Sequence, residues 1–213
     1  MKIDLQAIIC GKNGQGKSSL SRELVAQHCR EGRRVFVQDT NREFQSMLPW
    51  FPTVAHYAAA NRHLSADGEP RMYGSAAIGD SDHEAITDLV LALSKQYERI
   101  LPEEKRPQTV VVYDEVTRLK NVLPGYIPPK MEELLANRRH YQVGLMLSCQ
   151  RTGQLHQGWF DLATDFYVFR TSSRKRVRVM EERFGFDAGV LQCAFEDMAF
   201  KFEYLHVHDE EFI

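Results

Sequence analysis

Short, almost wholly apolar runs alternate along this chain with stretches whose apolar residues recur every three or four positions. Asp4–Cys10, Arg34–Asp39, Gln108–Glu115, Val143–Gln150 and Asp165–Arg170 have the length and β-branched or aromatic content of strands. Between them, Leu20, Leu24, Val25 and Cys29 mark one helical face, and Ile86, Leu89, Val90, Leu93 and Tyr97 mark another, introduced by a capping box at Ser81-Asp82-His83-Glu84. Helices are also expected over Lys130–Tyr141 and from about Ser173 to Phe184, and the alternating tail Phe200–Val207 reads as an edge strand. From Pro49 to Asp80 the pattern is weak, and prolines and glycines suggest loops around a minor strand at Arg71-Met72-Tyr73. Strands apolar on both faces, interleaved with amphipathic helices, predict an α/β sandwich with a mostly parallel sheet.

The turn after the first strand changes the picture. Gly11-Lys12-Asn13-Gly14-Gln15-Gly16-Lys17-Ser18 fits G-x-x-x-x-G-K-[ST] and lies between a strand and a helix, the setting that a phosphate-binding loop requires. Its glycines let backbone N–H groups converge on the β- and γ-phosphates of a nucleotide. Lys17 supplies a mobile positive charge and Ser18 a hydroxyl for Mg²⁺, and Ser19 completes the nucleotide-binding stretch.

Asp114 ends the most apolar strand, where a Walker B aspartate would hold Mg²⁺ directly or through water. Glu115, one residue on, is suited to orienting and partly deprotonating a water in line with the γ-phosphate. The long interval from Lys17 to Asp114 leaves room for intervening strands. With Glu115, it points to the RecA-like (ASCE) class of P-loop NTPase. Gln150, at the end of the next strand, is placed to sense the γ-phosphate or simply to hydrogen-bond at a strand end.

These blocks, and especially Asn137-Arg138-Arg139-His140-Tyr141-Gln142 leading into Val143–Arg151, resemble the FtsK/HerA superfamily of DNA-pumping ATPases. The resemblance implies that an arginine before the strand acts as a finger on the neighbouring subunit's nucleotide, with Arg139 the better match and Arg138 the second choice. A P-loop beginning so near residue one is most similar to the minimal genome-packaging ATPases of tailless viruses with internal membranes. What this implies is an ATP- and Mg²⁺-dependent motor: a ring of five or six identical subunits on double-stranded DNA, docked on capsid-vertex or membrane proteins, in the host cytoplasm and on the virion. Two other readings stand beside it: a monomeric P-loop phosphotransferase, and a nucleotide-switched phage assembly or secretion ATPase.

Composition adds bounds. With 213 residues, the whole chain reads as a single motor domain, and its formal net charge of −2 argues against a surface that wraps nucleic acid indiscriminately. No apolar run approaches the ~20 residues of a membrane span, so the chain has no expected transmembrane segment. Cys10, Cys29, Cys149 and Cys193 lack C-x-x-C spacing and read as buried thiols in a reducing, cytoplasmic setting. Arg170, Arg174, Lys175, Arg176 and Arg178 form the densest basic cluster, either a grip on DNA phosphates or a helix face balanced by Glu181 and Glu182. Arg118, Lys120 and Lys130 are alternative pore residues. His206, His208, Asp209 and Glu210 match no zinc spacing, Trp159 and Phe160 read as core or interface anchors, and the role of Asp39 is open.

Overall fold

The computed structural model describes residues 5–62, 75–79, 83–116, 126–150, 155–198, 200, 202–208 and 211–212. Among the described residues nine strands form one sheet. In chain order they are β1 (Gln6–Cys10), β2 (Arg34–Gln38), β3 (Trp50–Phe51), β4 (Ala76–Ile78), β5 (Thr109–Tyr113), β6 (Val143–Cys149), β7 (Asp165–Phe169), β8 (Tyr204–His208) and β9 (Glu211–Phe212). Their spatial order is β3-β4-β2-β5-β6-β1-β7-β8-β9. The pairs from β3 through β7 are parallel, and β8 and β9 close one edge in antiparallel fashion. The P-loop strand β1 and the Walker B strand β5 are separated by β6, as the RecA-like reading requires.

β1, β5 and β6 are buried at every position because helices cover both faces of the sheet. The strand alternation divides the core in two. Ala7 and Ile9 of β1 pack with Leu20 and Val25 of α1 (Lys17–Arg30), while Ile8 and Cys10 face the other side. There they meet the larger cluster, which includes Ile86 and Val90 of α3 (His83–Ile100) and Met131, Leu134 and Leu135 of α4 (Pro129–Tyr141). α4 begins with Pro129 at its first turn and ends at Gln142, whose left-handed φ of 57° lets its N–H cap the last carbonyls before the chain enters β6.

Several expectations change in the structure. The weak stretch after Pro49 holds β3, the helix α2 (Val54–Arg62) and β4, and Arg71–Tyr73 lie outside the described residues. Strands of two and three residues are too short to show a period. A short helix α5 (Gln157–Phe160) precedes β7, and α6 (Arg174–Phe184) is followed by α7 (Ala188–Asp197), capped by the Asp187 carboxylate on the Val190 N–H at 2.9 Å. The tail strand starts at Tyr204 and is not the edge, because β9 pairs with it; Phe200 and Phe202 precede it in a turn. Cys193 is exposed and Cys29 half-buried, so only Cys10 and Cys149 fit the buried-thiol expectation. Their sulfurs lie 3.4 Å apart on adjacent strands, and burial pushes the Cys10 thiol well above its ordinary range.

Arg138 is the sharpest departure. Its side chain is buried, with Nε donating to Gln6 Oε1 at 3.2 Å and a terminal nitrogen donating to the Leu162 carbonyl at 3.1 Å. Gln6 in turn donates to the Trp159 carbonyl at 2.7 Å. The guanidinium thus ties α4, β1 and the approach to β7 together within one subunit, and of the two finger candidates only Arg139 is presented at the surface. Arg138→Met is expected to lower stability by about 1–3 kcal/mol by leaving buried acceptors unpaired. A denaturant midpoint unchanged from wild type would show that this network carries no stability.

Candidate functional site

The carboxyl ends of β1, β2, β5 and β6 converge on one cavity of about 460 Å³. Asn13, Gly14, Gly16, Lys17, Ser18 and Ser19 line one side of it, and Asn41, Glu43, Asp114, Glu115, Ser148 and Gln150 line the other. Ligands of parallel α/β sheets collect at this end because the loops that follow the strands are there, and helix N-termini point to it.

The loop is held in shape by its own residues. Gly14 and Gly16 have φ of 72° and 100°, which residues with a Cβ seldom adopt. At Gly11 an added Cβ would lie 2.9 Å from Phe169 Cβ, so close packing demands glycine there. Gln15 accepts a hydrogen bond from the Lys12 N–H and donates to the Arg170 carbonyl at 2.6 Å, fastening the loop to the end of β7. α1 opens without an acidic residue in its first turn and without a side-chain cap. That leaves the positive end of the helix directed at the cavity, as an anion requires. Lys17 is buried, and its ammonium donates to the Lys12 carbonyl at 3.3 Å, a contact it would exchange for a phosphate.

On the facing wall, Ser148 joins the two carboxylate residues. Its hydroxyl donates to Asp114 Oδ1 at 2.9 Å and accepts from the Glu115 N–H at 3.2 Å. The Glu115 carboxylate receives both the Gln150 backbone N–H, at 3.3 Å, and its side-chain Nε2, at 2.8 Å. Glu115 is also one of three non-glycine residues with positive φ among those described, at 52°. A buried glutamate held left-handed is costly and persists only where its surroundings fix it, a pattern that clusters at active sites. Asp114 is pushed up to about 6, chiefly by burial, with the Ser148 hydrogen bond pulling the other way and Glu43, Glu115 and Asp39 adding smaller upward effects.

Asp39, whose role was open, orders the loop after β2. Its two oxygens accept the Glu43 N–H at 2.7 Å and the Phe44 N–H at 3.0 Å. Burial raises its own pKa. The result is that Asn41 and Glu43 reach the cavity. Neither they nor Ser148 stood out in the sequence; the Asp39–Glu43 spacing of an aspartate-capped turn was the only available signal.

The donor set fits an Mg²⁺–nucleotide. The Ser18 hydroxyl and the Asp114 carboxylate are hard oxygen ligands lining one cavity, and the loop N–H groups with Lys17 suit phosphate oxygens. Arg139 does not join them. It lies at the end of α4, where β6 begins, and β6 spans roughly 20 Å to the end that carries Gln150.

Other candidates separate in space. Arg174, Lys175 and Arg178 are exposed on α6, Arg176 is half-buried, and Arg170 donates to the Met198 carbonyl at 2.7 Å. Lys130 pairs with Asp88, while Arg118, Lys120, Arg151, Asp209 and Glu210 lie outside the described residues. His206 and His208 share one oxygen of Asp165, at 2.9 and 3.0 Å, and no metal-binding cluster occurs among the described residues. Trp159 and Phe160 are core residues.

Fold and cavity together define a P-loop NTPase architecture. No family model matches the sequence, and no curated protein matches it. In structure, the chain is similar over its full length to the genome-packaging NTPase B204 of Sulfolobus turreted icosahedral virus 2 in complex with ATPγS, with a TM-score of 0.74 at 17% identity and 97% of that chain covered. It also resembles VirB4 of Thermoanaerobacter pseudethanolicus, with a TM-score of 0.61 at 13% identity over 98% of this chain and 87% of the other. The pCW3 conjugation coupling protein TcpA gives 0.57 at 14% identity, over 99% of this chain and 59% of that one.

Asp114 sets a stability test. Its folded-state pKa of about 6 lies above the ordinary aspartate value of about 3.9, so the ionised form destabilises the nucleotide-free fold above pH 6. That penalty, on the order of 2 kcal/mol, fades as pH falls from 6 towards about 4. Asp114→Asn keeps an acceptor for Ser148 and is expected to raise the nucleotide-free Tm by ~5 °C near neutral pH, with the gain shrinking in acid. A Tm at or below wild type near neutrality would contradict a costly buried carboxylate.

Proposed function

We propose that this protein is an ATP-hydrolysing motor of the FtsK/HerA superfamily that drives double-stranded DNA into a preformed viral capsid, working as a homo-oligomeric ring. The observation that carries this reading is the cavity in which the P-loop faces the Ser148-linked pair Asp114 and Glu115, on a fold shared over its whole length with a viral genome-packaging NTPase. The related structures with bound ATPγS and AMPPCP support ATP as the nucleotide.

In this mechanism the loop N–H groups and Lys17 bind the β- and γ-phosphates, and Ser18 and Asp114 hold Mg²⁺, which when bound offsets phosphate charge. Glu115 takes a proton from the attacking water, a role its buried position at the γ-phosphate end of the cavity suits. Gln150, bonded to Glu115 through both backbone and side chain, registers whether that carboxylate is engaged with water or with the strand. Arg139, exposed near the opposite end of β6 from Gln150, has a phosphate to act on only in a neighbouring subunit.

Glu115→Gln is expected to retain ATP while turnover falls by about 100-fold or more. Arg139→Ala subunits mixed into wild-type assemblies should depress ATPase activity more than their mole fraction, since each spoils a neighbour's site. Strictly proportional loss, or full hydrolysis by a monomer indifferent to duplex DNA, would remove the ring from the mechanism.

A further inference from the structure

The cavity lining includes an aromatic side chain that the phosphate chemistry leaves unused. Phe202 lines the same space as Ser18 and Ser19, and it is the one aromatic residue among the described residues that do so. Its ring sits over the P-loop: a Cβ added at Gly16 would lie 3.3 Å from Phe202 Cδ1 and 3.5 Å from Phe169 Cε1. Behind it runs a ladder of rings across β7 and β8. Phe169 meets Tyr204 at 5.5 Å, Tyr204 meets Tyr167 at 5.7 Å, and Tyr167 stacks on His206 at 4.3 Å. The ladder anchors the turn that carries Phe202, in which the Phe200 N–H donates to the Glu203 carboxylate at 3.1 Å and the Glu203 N–H to the Phe200 carbonyl at 3.4 Å.

Two of these rings are wet. Phe202 is 64% exposed and Phe200 71%, more than any other large apolar side chain described. Exposed aromatic surface is unfavourable in water unless something covers it, and Phe202 lines the same cavity as the P-loop.

The polar lining residues suit the phosphates and Mg²⁺, which leaves the aromatic one for the base. The carboxylates of Asp114 and Glu115, with Gln150, mark the γ-phosphate end. A triphosphate laid along the loop with its γ-phosphate at that wall sends its α-phosphate towards Ser19 at the start of α1, and the nucleoside leaves on the side away from the carboxylates. We infer that Phe202 is the platform on which the nucleobase of the bound nucleotide stacks. The inference rests on the nucleotide-binding reading above. It assigns Phe202 to the nucleoside and no part of the phosphate chemistry to it.

The test separates base from phosphate. Wild type, Phe202→Ala and Phe202→Trp are titrated calorimetrically with Mg–ATP and with inorganic tripolyphosphate, which has no base. Base–aromatic stacking is worth about 1–3 kcal/mol, so Phe202→Ala should weaken ATP binding about 10- to 100-fold and leave tripolyphosphate affinity unchanged. Phe202→Trp should restore ATP affinity, since indole keeps a π face. Unchanged ATP affinity in Phe202→Ala overturns the platform, as does an equal loss for both ligands, which would mean that the ring supports the loop instead. Wild-type protein that binds tripolyphosphate as tightly as ATP overturns it too while leaving the phosphate site standing. Failure of wild type to bind either ligand sinks the nucleotide reading itself.

Discussion

A single hydroxyl holds the chemistry of this protein together. Two largely buried carboxylates at the end of a parallel sheet repel one another and gain from a tie between their positions. Ser148 supplies it by donating to Asp114 and accepting from the backbone of Glu115, which binds the turn after β5 to the strand beside it. The strained left-handed Glu115 then has its position fixed from two directions, by Ser148 behind and Gln150 in front. Everything on the phosphate side, from the open N-terminus of α1 to the folded-back Lys17, faces this tied pair.

The tie offsets only part of what burial costs this pocket. Burial opposes charge on Asp114, and the loop after β2 brings further acidic groups near it. A cation bound there, as proposed above, would offset these charges and stabilise the fold. Stability deferred in this way is common where side chains are arranged for a reaction.

The strands near the middle of the sheet were legible because burial on both faces leaves no room for polar residues, and Val110–Tyr113 or Val143–Leu147 show it directly. The glycine-rich turn announced its cavity for a similar reason: few other sequences tolerate those backbone angles. What the sequence concealed was made by tertiary contact. β3 and β4 are too short to carry a period, and Ser148 reads as an ordinary polar residue in an apolar run until the sheet sets it between two carboxylates. Arg138 and Arg139 are neighbours of one type, and only the helix phase, which turns one towards Gln6 and the other outward, tells them apart. Phe202 was hidden inside an alternating tail whose first residues form a turn.

β6 runs from the end of α4 to Gln150, paired with β5 over Val143–Leu147 and with β1 over Leu145–Cys149, and without a bulge among its seven residues. A strand clamped in this manner neither stretches nor bends appreciably. Anything that displaces its glutamine end must shift its arginine end by nearly the same amount, as a rule moves whole when one end is pushed. In the ring proposed above, a single strand would then join the phosphate end of one subunit's site to the arginine that faces its neighbour.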